Sequence, residues 1–380
     1  MKVLITGGTG TISSGIAEES VERGYETYAL TRGKHFFRNI PGVNYIIVDV
    51  WKKEDVIKSL NNMYFDVIVE CIVYNCEQLK ISLGNFADCC KQYIFISTSG
   101  VYSRDTICED KRISESDDKN LDNWMYTKEK IECENYLKNY FANKKTKYTI
   151  IRPVVTYGNY RIPFPVVSRT NQWTLLERML MGMPVVACNN VQCAIIHIKD
   201  FSNAVVSFFG NNGAFDEDFH VSESGCEPYW DDVIYSIAKI LGIKPKIIHA
   251  PLEAFEIYFP SIYDELKWNK TQKLLMDDTK IKKILPKFRQ TINMEDGLKE
   301  TVNVLEKEYH YYNNMLDSGF SDDCDMVIKY VYKKGIIHED EILNAKAYID
   351  SWSLRKKIRI KIKGVKRIIR KIIYNFIKTK

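Results

Sequence analysis

Tyr126 and Lys130 lie four residues apart in a stretch whose pattern predicts a helix. Residues at this spacing share one helical face, so the two side chains would be neighbours. A lysine ammonium beside a phenol stabilises the phenolate and lowers the pKa of the phenol. Such a phenol can exchange a proton with a substrate hydroxyl while a hydride moves to or from a nicotinamide ring. Taken alone, the pair would more often be an ordinary surface contact.

A cluster of hydroxyl groups gives that pair a context. Ser97, Thr98 and Ser99 lie at the end of a predicted strand, Tyr93–Ser97, that precedes the helix along the chain. A hydroxyl at such a strand end can act beside the phenol on one substrate oxygen. With a glycine-rich first turn elsewhere in the chain, this placement favours the catalytic interpretation of Tyr126 and Lys130.

The glycine-rich turn is Thr6–Ser13, with the sequence TGGTGTIS. It follows the first predicted strand directly and precedes a predicted helix. Glycines there let the backbone turn tightly and approach a pyrophosphate, whose charge lies at the helix amino terminus. The alternative is an ordinary turn between a strand and a helix. Ser13 stands where the third glycine usually lies, and its small side chain should still allow the helix to pack closely.

The ends of the second and third predicted strands bear on the choice of cofactor. An acidic residue after the second strand would bond the adenosine ribose of NAD, but this chain has Thr31 and then Arg32. Arg32 could hold the 2′-phosphate of NADP with two hydrogen bonds, which favours NADP(H) over NAD(H); alternatively, it points into solvent. Asp49 could bond the adenine amino group or cap the helix that follows.

The elements that would position these residues alternate along the chain. Short apolar, β-branched runs separated by helical stretches are typical of an α/β protein with a doubly wound, mostly parallel sheet. The predicted strands are Val3–Thr6, Thr27–Thr31, Tyr45–Val48, Val67–Val69, Tyr93–Ser97 and Tyr148–Ile151, and the clearest helices are Gly15–Arg23, Asp55–Leu60 and Asn123–Phe141.

Composition excludes several classes of protein. The chain has 380 residues, of which 45% are hydrophobic and 27% charged, so it can bury a large core. Its first apolar run is too short for a signal peptide, and no later run approaches a membrane span. The ten cysteines are scattered without the paired spacing of a zinc site. We therefore expect a cytoplasmic protein with neither disulfides nor a structural metal.

From Met1 to about Glu306 the chain resembles the NAD-dependent epimerase/dehydratase family of extended short-chain dehydrogenases. Two later stretches, Phe219–Ser222 and Met276–Lys280, look like the substrate domain of nucleoside-diphosphate-sugar epimerases. The five motifs behind the resemblance occur in family order and are Thr6–Gly10, Ser97–Tyr102, the Tyr126/Lys130 pair, Arg152–Gly158 and Ile196–Asp200.

This resemblance implies a Rossmann-type sheet with a smaller substrate domain, a nucleotide-sugar substrate and a homodimer formed through the helix that bears Tyr126 and its neighbour. It implies that Tyr126 transfers the proton, that Lys130 holds the nicotinamide ribose and that Thr98 lies beside the substrate oxygen. It implies no metal. The predicted cofactor contacts are Gly7, Thr9, Gly10, Thr11, Ile12, Arg32, Asp49, Val50, Cys71, Tyr126, Lys130 and Pro153.

The residues after Thr98 narrow the choice of reaction. In the 4,6-dehydratases of the family Asp-Glu follows the hydroxyl residue, whereas this chain has Ser99 and Gly100. Neither can act as a carboxyl acid or base, so dehydration is not expected. Reduction of a 4-keto nucleotide sugar and 4-epimerisation with bound NAD remain. Because NADPH is the usual donor of a reductase, Arg32 favours reduction; an RNA-binding relative without turnover is the alternative of another class.

The carboxyl end has a different character from the rest. Residues 355–380 contain twelve Lys and Arg and no acidic residue, whereas the remainder carries a net charge of −7. The alternation of Ile358, Ile360 and Ile362 is strand-like, so a basic amphipathic helix is predicted from about Gly364. This helix could pack on the body of the protein or on the dimer mate. It could instead lie on an anionic membrane surface, which would make the protein peripheral at the inner face of the membrane. Binding to nucleic-acid phosphates is the least favoured of the alternatives.

We therefore predict four parts of the chain. Residues 1–158 form mainly the dinucleotide-binding domain, and residues 159–310 mainly the substrate-binding part, with segments that return to the sheet. Residues 311–354 are predicted to be a linker with a small helical unit, and residues 355–380 a basic tail.

Overall fold

The computed structural model describes residues 1–34, 36–103, 111–119, 124–313 and 315–378. Cys108 and the predicted helix start at Asn123 lie outside these ranges. The strands within them are β1 Lys2–Thr6, β2 Glu26–Thr31, β3 Asn44–Ile47, β4 Phe65–Glu70, β5 Cys90–Ile96, β6 Lys147–Pro153, β7 Val155–Tyr157, β8 Val185–Ala187, β9 Ile195–His197, β10 Glu217–Val221 and β11 Ile247–His249.

Helices alternate with these strands in the first half of the chain and follow one another in the last part. They are α1 Thr11–Glu22, α2 Lys53–Leu60, α3 Cys76–Phe86, α4 Met125–Phe141, α5 Trp173–Leu180, α6 Ile198–Ser207, α7 Trp230–Leu241, α8 Leu252–Tyr258, α9 Tyr263–Glu265, α10 Thr279–Ile284, α11 Met294–Tyr311, α12 Ser318–Lys334, α13 Glu339–Asp350 and α14 Leu354–Lys378.

Seven strands form one sheet in the order β10-β6-β5-β4-β1-β2-β3. Every neighbouring pair is parallel. Each central strand contains a run of apolar residues, and segments such as Val3–Ile5 and Val67–Val69 are fully buried, as expected for strands covered by helices on both faces. The predicted doubly wound parallel sheet is confirmed. Each buried Val, Leu or Ile stabilises it by about 1.5–3 kcal/mol.

The stretch around Phe219 lies in this sheet. Phe219–Ser222 resembles part of the substrate domain of nucleoside-diphosphate-sugar epimerases, and Glu217–Val221 forms β10, which pairs in parallel with β6. Phe219 is fully buried and stacks on Phe208 with 4.7 Å between ring centroids. Packing of this aromatic pair at the sheet edge explains why a short segment late in the chain completes the sheet.

The chain forms two compact units, each built from three segments. The first contains the seven-stranded sheet and comprises residues 1–163, 191–233 and 272–311. The second comprises residues 164–190, 234–271 and 312–380. The segments 191–233 and 272–311 thus belong to the unit of the sheet, while residues 312–380 form one unit with the short strands β8 and β11.

The second unit has its own core and a buried ion pair. Met326, Trp352 and Ile360 pack together, and the buried Arg178 guanidinium lies 3.1 Å from an Asp325 carboxylate oxygen. The last helix starts at Leu354, so the predicted start near Gly364 is wrong. The alternation of Ile358, Ile360 and Ile362 spans five residues, which is too short to specify a strand. Only Ile360 of these three packs in the core of the second unit, and a helix places it there.

Candidate active site

The carboxyl ends of the parallel strands meet at one edge of the sheet, where ligands bind in open α/β folds. The turn after β1, Arg32 after β2, Asp49 after β3, Cys71 after β4 and Ser97 after β5 all lie at this edge. The topology therefore collects predicted site residues that are far apart in sequence. The geometry of each part determines what the edge can bind.

Two glycines of the first turn cannot be replaced without a clash. Gly7 has φ +83°, and a Cβ built on it would lie 2.4 Å from the Ile72 Cγ2 atom. A Cβ on Gly8 would lie 2.6 Å from the Ala29 Cβ atom. Backbone therefore approaches the edge of the sheet without side chains in between, and Gly10 is the N-cap of α1. Thr11 and Ile12 begin the helix and present the N–H groups that lack partners within it.

Ser13 replaces the usual third glycine and acts on the turn itself. Its hydroxyl accepts a hydrogen bond from the Gly10 N–H at 3.0 Å. The hydroxyl oxygen also lies 3.3 Å from the Gly7 carbonyl oxygen, to which it can donate. The side chain is 3% exposed. Ser13, which stands in place of the expected glycine, thus holds the two ends of the turn together.

A cavity of about 270 Å³ opens beside this turn. Five of the predicted cofactor contacts line it together: Gly7, Thr9, Arg32, Asp49 and Val50. The remaining lining comes from Leu30, Thr31, Lys34, Val48, Trp51, Ile72, Tyr74 and Gln78. A Gly-rich turn, two cations and a carboxylate around one cavity fit the adenosine and pyrophosphate parts of a dinucleotide.

Arg32 and Asp49 border a second cavity as well, of about 620 Å³, with Lys52 and Lys58. Arg32 and Lys34 are exposed. Asp49 accepts a hydrogen bond from the Trp51 N–H at 3.2 Å, and the N-cap of α2 is Lys52. Asp49 therefore does not cap the helix, which was the alternative role for its carboxylate.

Lys130 lies on the inner face of α4 and is 2% exposed. Its ammonium donates to the carbonyl oxygens of Val73 at 2.6 Å and of Ile96 at 2.8 Å. Burial lowers the pKa of Lys130 to about 8. Among the described residues two carbonyls thus bind the ammonium, which has three N–H donors.

Tyr126 lies four residues before Lys130 on α4, and Thr98 follows β5 at the same end of the sheet. The half-buried Tyr126 ring packs 4.9 Å from the Trp124 ring and 6.4 Å from the Tyr74 ring, measured between centroids. Tyr74 also faces the Lys130 ammonium, which is 5.5 Å from its ring centroid. Tyr74 also lines the cavity beside the glycine-rich turn, so this residue borders both the cavity and the predicted Tyr126/Lys130 pair.

Thr98 forms the N-cap of the short turn Ser99–Val101. Its hydroxyl oxygen accepts a hydrogen bond from the Gly100 N–H at 3.1 Å. The hydroxyl hydrogen can therefore be donated to a different oxygen. Such a donor at the end of β5 is what the predicted role beside a substrate oxygen requires.

Comparison with known proteins relates one segment of this chain to a family. Residues 85–221, which include β5, α4, β6 and β10, match the model of the NAD dependent epimerase/dehydratase family. The match covers less than half of the chain, so it is a similarity to this family over that segment. This match agrees with the resemblance found in the sequence.

This chain is similar to two other proteins whose names differ. It is 28% identical over 278 residues to the chloroplast stem-loop binding protein of 41 kDa b of Arabidopsis thaliana, an alignment that covers 67% of each chain. It is 25% identical over 334 residues to a UDP-N-acetyl-alpha-D-glucosaminuronate decarboxylase of Bacillus cytotoxicus, which covers 79% of this chain and 96% of the decarboxylase.

Solved structures of sugar-nucleotide enzymes share the fold of this chain. The UDP-glucose 4-epimerase of Thermus thermophilus in complex with NAD superposes with a TM-score of 0.65 at 19% identity, covering 80% of this chain and 99% of that one. The UDP-glucuronic acid 4-epimerase of Bacillus cereus, with UDP-glucuronic acid and NAD, gives 0.62 at 17% identity, covering 81% and 100%.

A buried charged cluster next to the site was not predicted. The fully buried Arg152 donates to Glu134 with two nitrogens, at 2.9 and 2.8 Å, and also bonds Asp218. Although burial raises the pKa of Glu134, Arg152 and Lys119 outweigh burial and lower it. Glu134 also accepts from the Ser97 hydroxyl at 2.7 Å, next to Thr98. The cluster thus holds the end of β5 against α4. Its member Glu134 lies one helical turn after Lys130.

Glu70 is a second buried acid that the sequence analysis missed. It ends β4 with 1% exposure and accepts from the Thr6 hydroxyl at 2.6 Å and from the Ile72 N–H at 2.9 Å. The Thr6 hydroxyl in turn accepts from the Cys71 N–H at 2.8 Å. These bonds join β1 to β4 beneath the glycine turn. The signal was present in the sequence, since Glu70 is a charged residue directly after an apolar strand.

Some predicted contacts lie away from the cavity beside the turn. Among the described residues its lining does not include Gly10, Thr11, Ile12, Cys71, Tyr126, Lys130 or Pro153. Cys71 is half-buried at the end of β4, and Pro153 is buried as the last residue of β6.

Proposed function

We propose that this protein is a nucleotide-sugar oxidoreductase that reduces the C4 keto group of a hexose, with NADPH as the donor. The observation that supports it most is the cavity at the glycine turn, where Gly7, Thr9, Arg32 and Asp49 come together. Gly7 and Gly8 carry no side chain, which supports a close approach of a pyrophosphate to the backbone of the turn. Arg32 and Lys34 supply the charge that a 2′-phosphate needs.

The nicotinamide ring of a bound cofactor would supply the hydride. Tyr126 gives its phenolic proton to the C4 oxygen, so that hydride and proton together convert the ketone into an alcohol. Thr98 donates a hydrogen bond to the same oxygen, since its own acceptor bond from Gly100 fixes its orientation. The third N–H of the Lys130 ammonium would bind the nicotinamide ribose of the cofactor.

Reduction is favoured over the other reactions of the family by two features. Ser99 and Gly100 supply no carboxyl group for dehydration. Arg32 lines the cavity and has the fork of N–H donors that suits a 2′-phosphate, and NADPH is the usual donor for a step that consumes its cofactor. The epimerase names among the structural relatives keep 4-epimerisation with bound NAD as the alternative.

Incubation with a 4-keto nucleotide sugar and NADPH tests the proposal through loss of the nicotinamide absorbance. Tyr126→Phe should lower kcat at least about 100-fold while NADPH affinity is unchanged. Tyr136→Phe, on the same helix and exposed, is the matched control and should keep full activity. Interconversion of C4 epimers without consumption of NADPH would instead establish the epimerase.

A binding function without turnover is the second candidate, because one relative is named as a stem-loop binding protein. Filter binding with a structured RNA at several salt concentrations tests it. A steep fall of affinity with salt, together with no activity on any nucleotide sugar, would replace the enzymatic proposal.

We also infer that two copies associate through α3 and α4. Ile81 of α3 and Tyr136 of α4 are large exposed hydrophobic residues, 39% and 36% exposed. Sedimentation equilibrium should give the mass of a dimer, and Ile81→Lys should shift the mass toward the monomer. A monomer at all concentrations would reject this interface.

A further inference from the structure

The last helix, α14, has one face bound to the second unit. The Lys356 ammonium lies 2.7 Å from Asp325, and Lys363 and Arg367 each lie 2.9 Å from Asp323. Ile360 is 2% exposed and packs with Met326 and Trp352. This part of the helix is therefore a fixed component of the unit.

The opposite face of α14 is apolar and exposed. Its five large side chains, spaced four, four, three and four residues apart, form one stripe along the helix. We call it the apolar stripe, and it consists of Leu354, Ile358, Ile362, Val365 and Ile369, which are 74%, 49%, 50%, 51% and 49% exposed. A contiguous exposed patch of this kind marks a surface that binds something.

Cations border the apolar stripe on both sides. At 100° per residue, Lys357 and Lys361 fall along one edge and Arg355 and Lys366 along the other, and all four are exposed. Within the described part of the chain, these four have no carboxylate partner. The inward cations Lys356, Lys363 and Arg367 are neutralised instead, so the unpaired charge is concentrated beside the stripe.

We propose that α14 binds an anionic lipid surface, with the apolar stripe in the headgroup layer and the bordering cations on lipid phosphates. Apolar contact and electrostatic attraction are the two contributions that hold an interfacial helix. Residues 355–380 carry twelve basic and no acidic side chains, while the rest of the chain has a net charge of −7. An anionic bilayer therefore attracts this helix and repels the remainder, which sets the orientation.

Two other occupants fit the helix less well. Nucleic acid would pair with the cations but leave five apolar side chains in water. A second copy of α14 would bury the stripe but place its bordering cations opposite one another, which destabilises a helix pair. None of the described helices is long and apolar enough to span a bilayer.

Co-sedimentation of the full-length protein with vesicles tests the proposal. Vesicles of phosphatidylglycerol and phosphatidylcholine should bind the protein, and vesicles of phosphatidylcholine alone should not. Point substitutions are preferable to deletion, because Ile360 and the ion pairs stabilise the unit. I358S/I362S changes only exposed side chains and should lower binding at least about tenfold. K357Q/K361Q should lower it by a similar factor.

Matched controls lie on neighbouring helices of the same unit. Leu343→Ser on α13 removes a side chain that is 75% exposed, and K333Q/K346Q removes two exposed charges from α12 and α13. Both should bind vesicles like the wild type. Circular dichroism of every variant establishes that the fold is retained.

Three results would overturn the proposal. The first is equal binding to neutral and anionic vesicles, or binding that I358S/I362S leaves unchanged. The second is RNA binding that only the charge variant weakens, with no vesicle binding. The third is self-association that I358S/I362S abolishes, again without vesicle binding. None of these readouts depends on catalysis, so they are independent of the proposed reaction.

Discussion

Raising the pH should stabilise this protein through Lys130. Burial lowers the pKa of its ammonium from 10.5 to about 8. In the unfolded chain the usual value applies, so between pH 8 and pH 10.5 the unfolded state binds more protons than the folded state. The free energy of unfolding contributed by this group therefore rises with pH across that window. Below pH 8 both states are protonated, and the full cost of the buried charge is present.

The difference between the two pKa values corresponds to about 3 kcal/mol of unfolding free energy. Between about pH 7 and about pH 10 the folded protein should recover about 2–3 kcal/mol of it. The two carbonyls that bind the ammonium, those of Val73 and Ile96, do not titrate.

Urea unfolding of the wild type and Lys130→Met at a series of pH values measures this contribution. Other titrating groups are common to both proteins, so the difference between the two unfolding free energies isolates Lys130. The wild type should gain about 2–3 kcal/mol relative to the variant from pH 7 to pH 10. Lys128→Met, an exposed lysine on the same helix, should show no such change. A difference that stays constant, or that moves the other way, would refute the reasoning.

Other perturbations test separate parts of the site. Gly7→Ala should abolish NADPH binding in a fluorescence titration, because its Cβ would lie 2.4 Å from Ile72 at a positive φ; retained affinity would show that the turn does not hold the cofactor. Ser13→Gly should lower the free energy of unfolding by about 1 kcal/mol, since the hydroxyl that joins Gly10 to Gly7 is lost, and an unchanged urea midpoint would contradict this. Arg32→Ala should weaken NADPH at least about tenfold and leave NADH unaffected; equal losses for both cofactors would remove the argument for NADP. Glu134→Gln should destabilise the fold by about 3–5 kcal/mol, because Arg152 stays buried without its charge partner, and a smaller loss would mean that Asp218 suffices.

Local sequence determined the core of the fold and the part of the candidate site around the glycine-rich turn. A strand, a glycine turn and a helix are contiguous in the chain, so the spacing of apolar residues and glycines in Thr6–Ser13 specifies them directly. The six predicted strands are all present in the sheet for the same reason. Arg32 and Asp49 follow their strands immediately, and strand direction alone brings them to one edge.

Tertiary structure decided what surrounds those residues. Glu134 and Arg152 are 18 residues apart, and Arg152 and Asp218 are 66 apart, so no helical or strand periodicity predicts the cluster. The same holds for the two carbonyls that bind Lys130, for β10 as an edge strand and for the inward face of α14. Periodicity records which side of an element is apolar, whereas the order of strands and the packing of helices determine which buried charges meet.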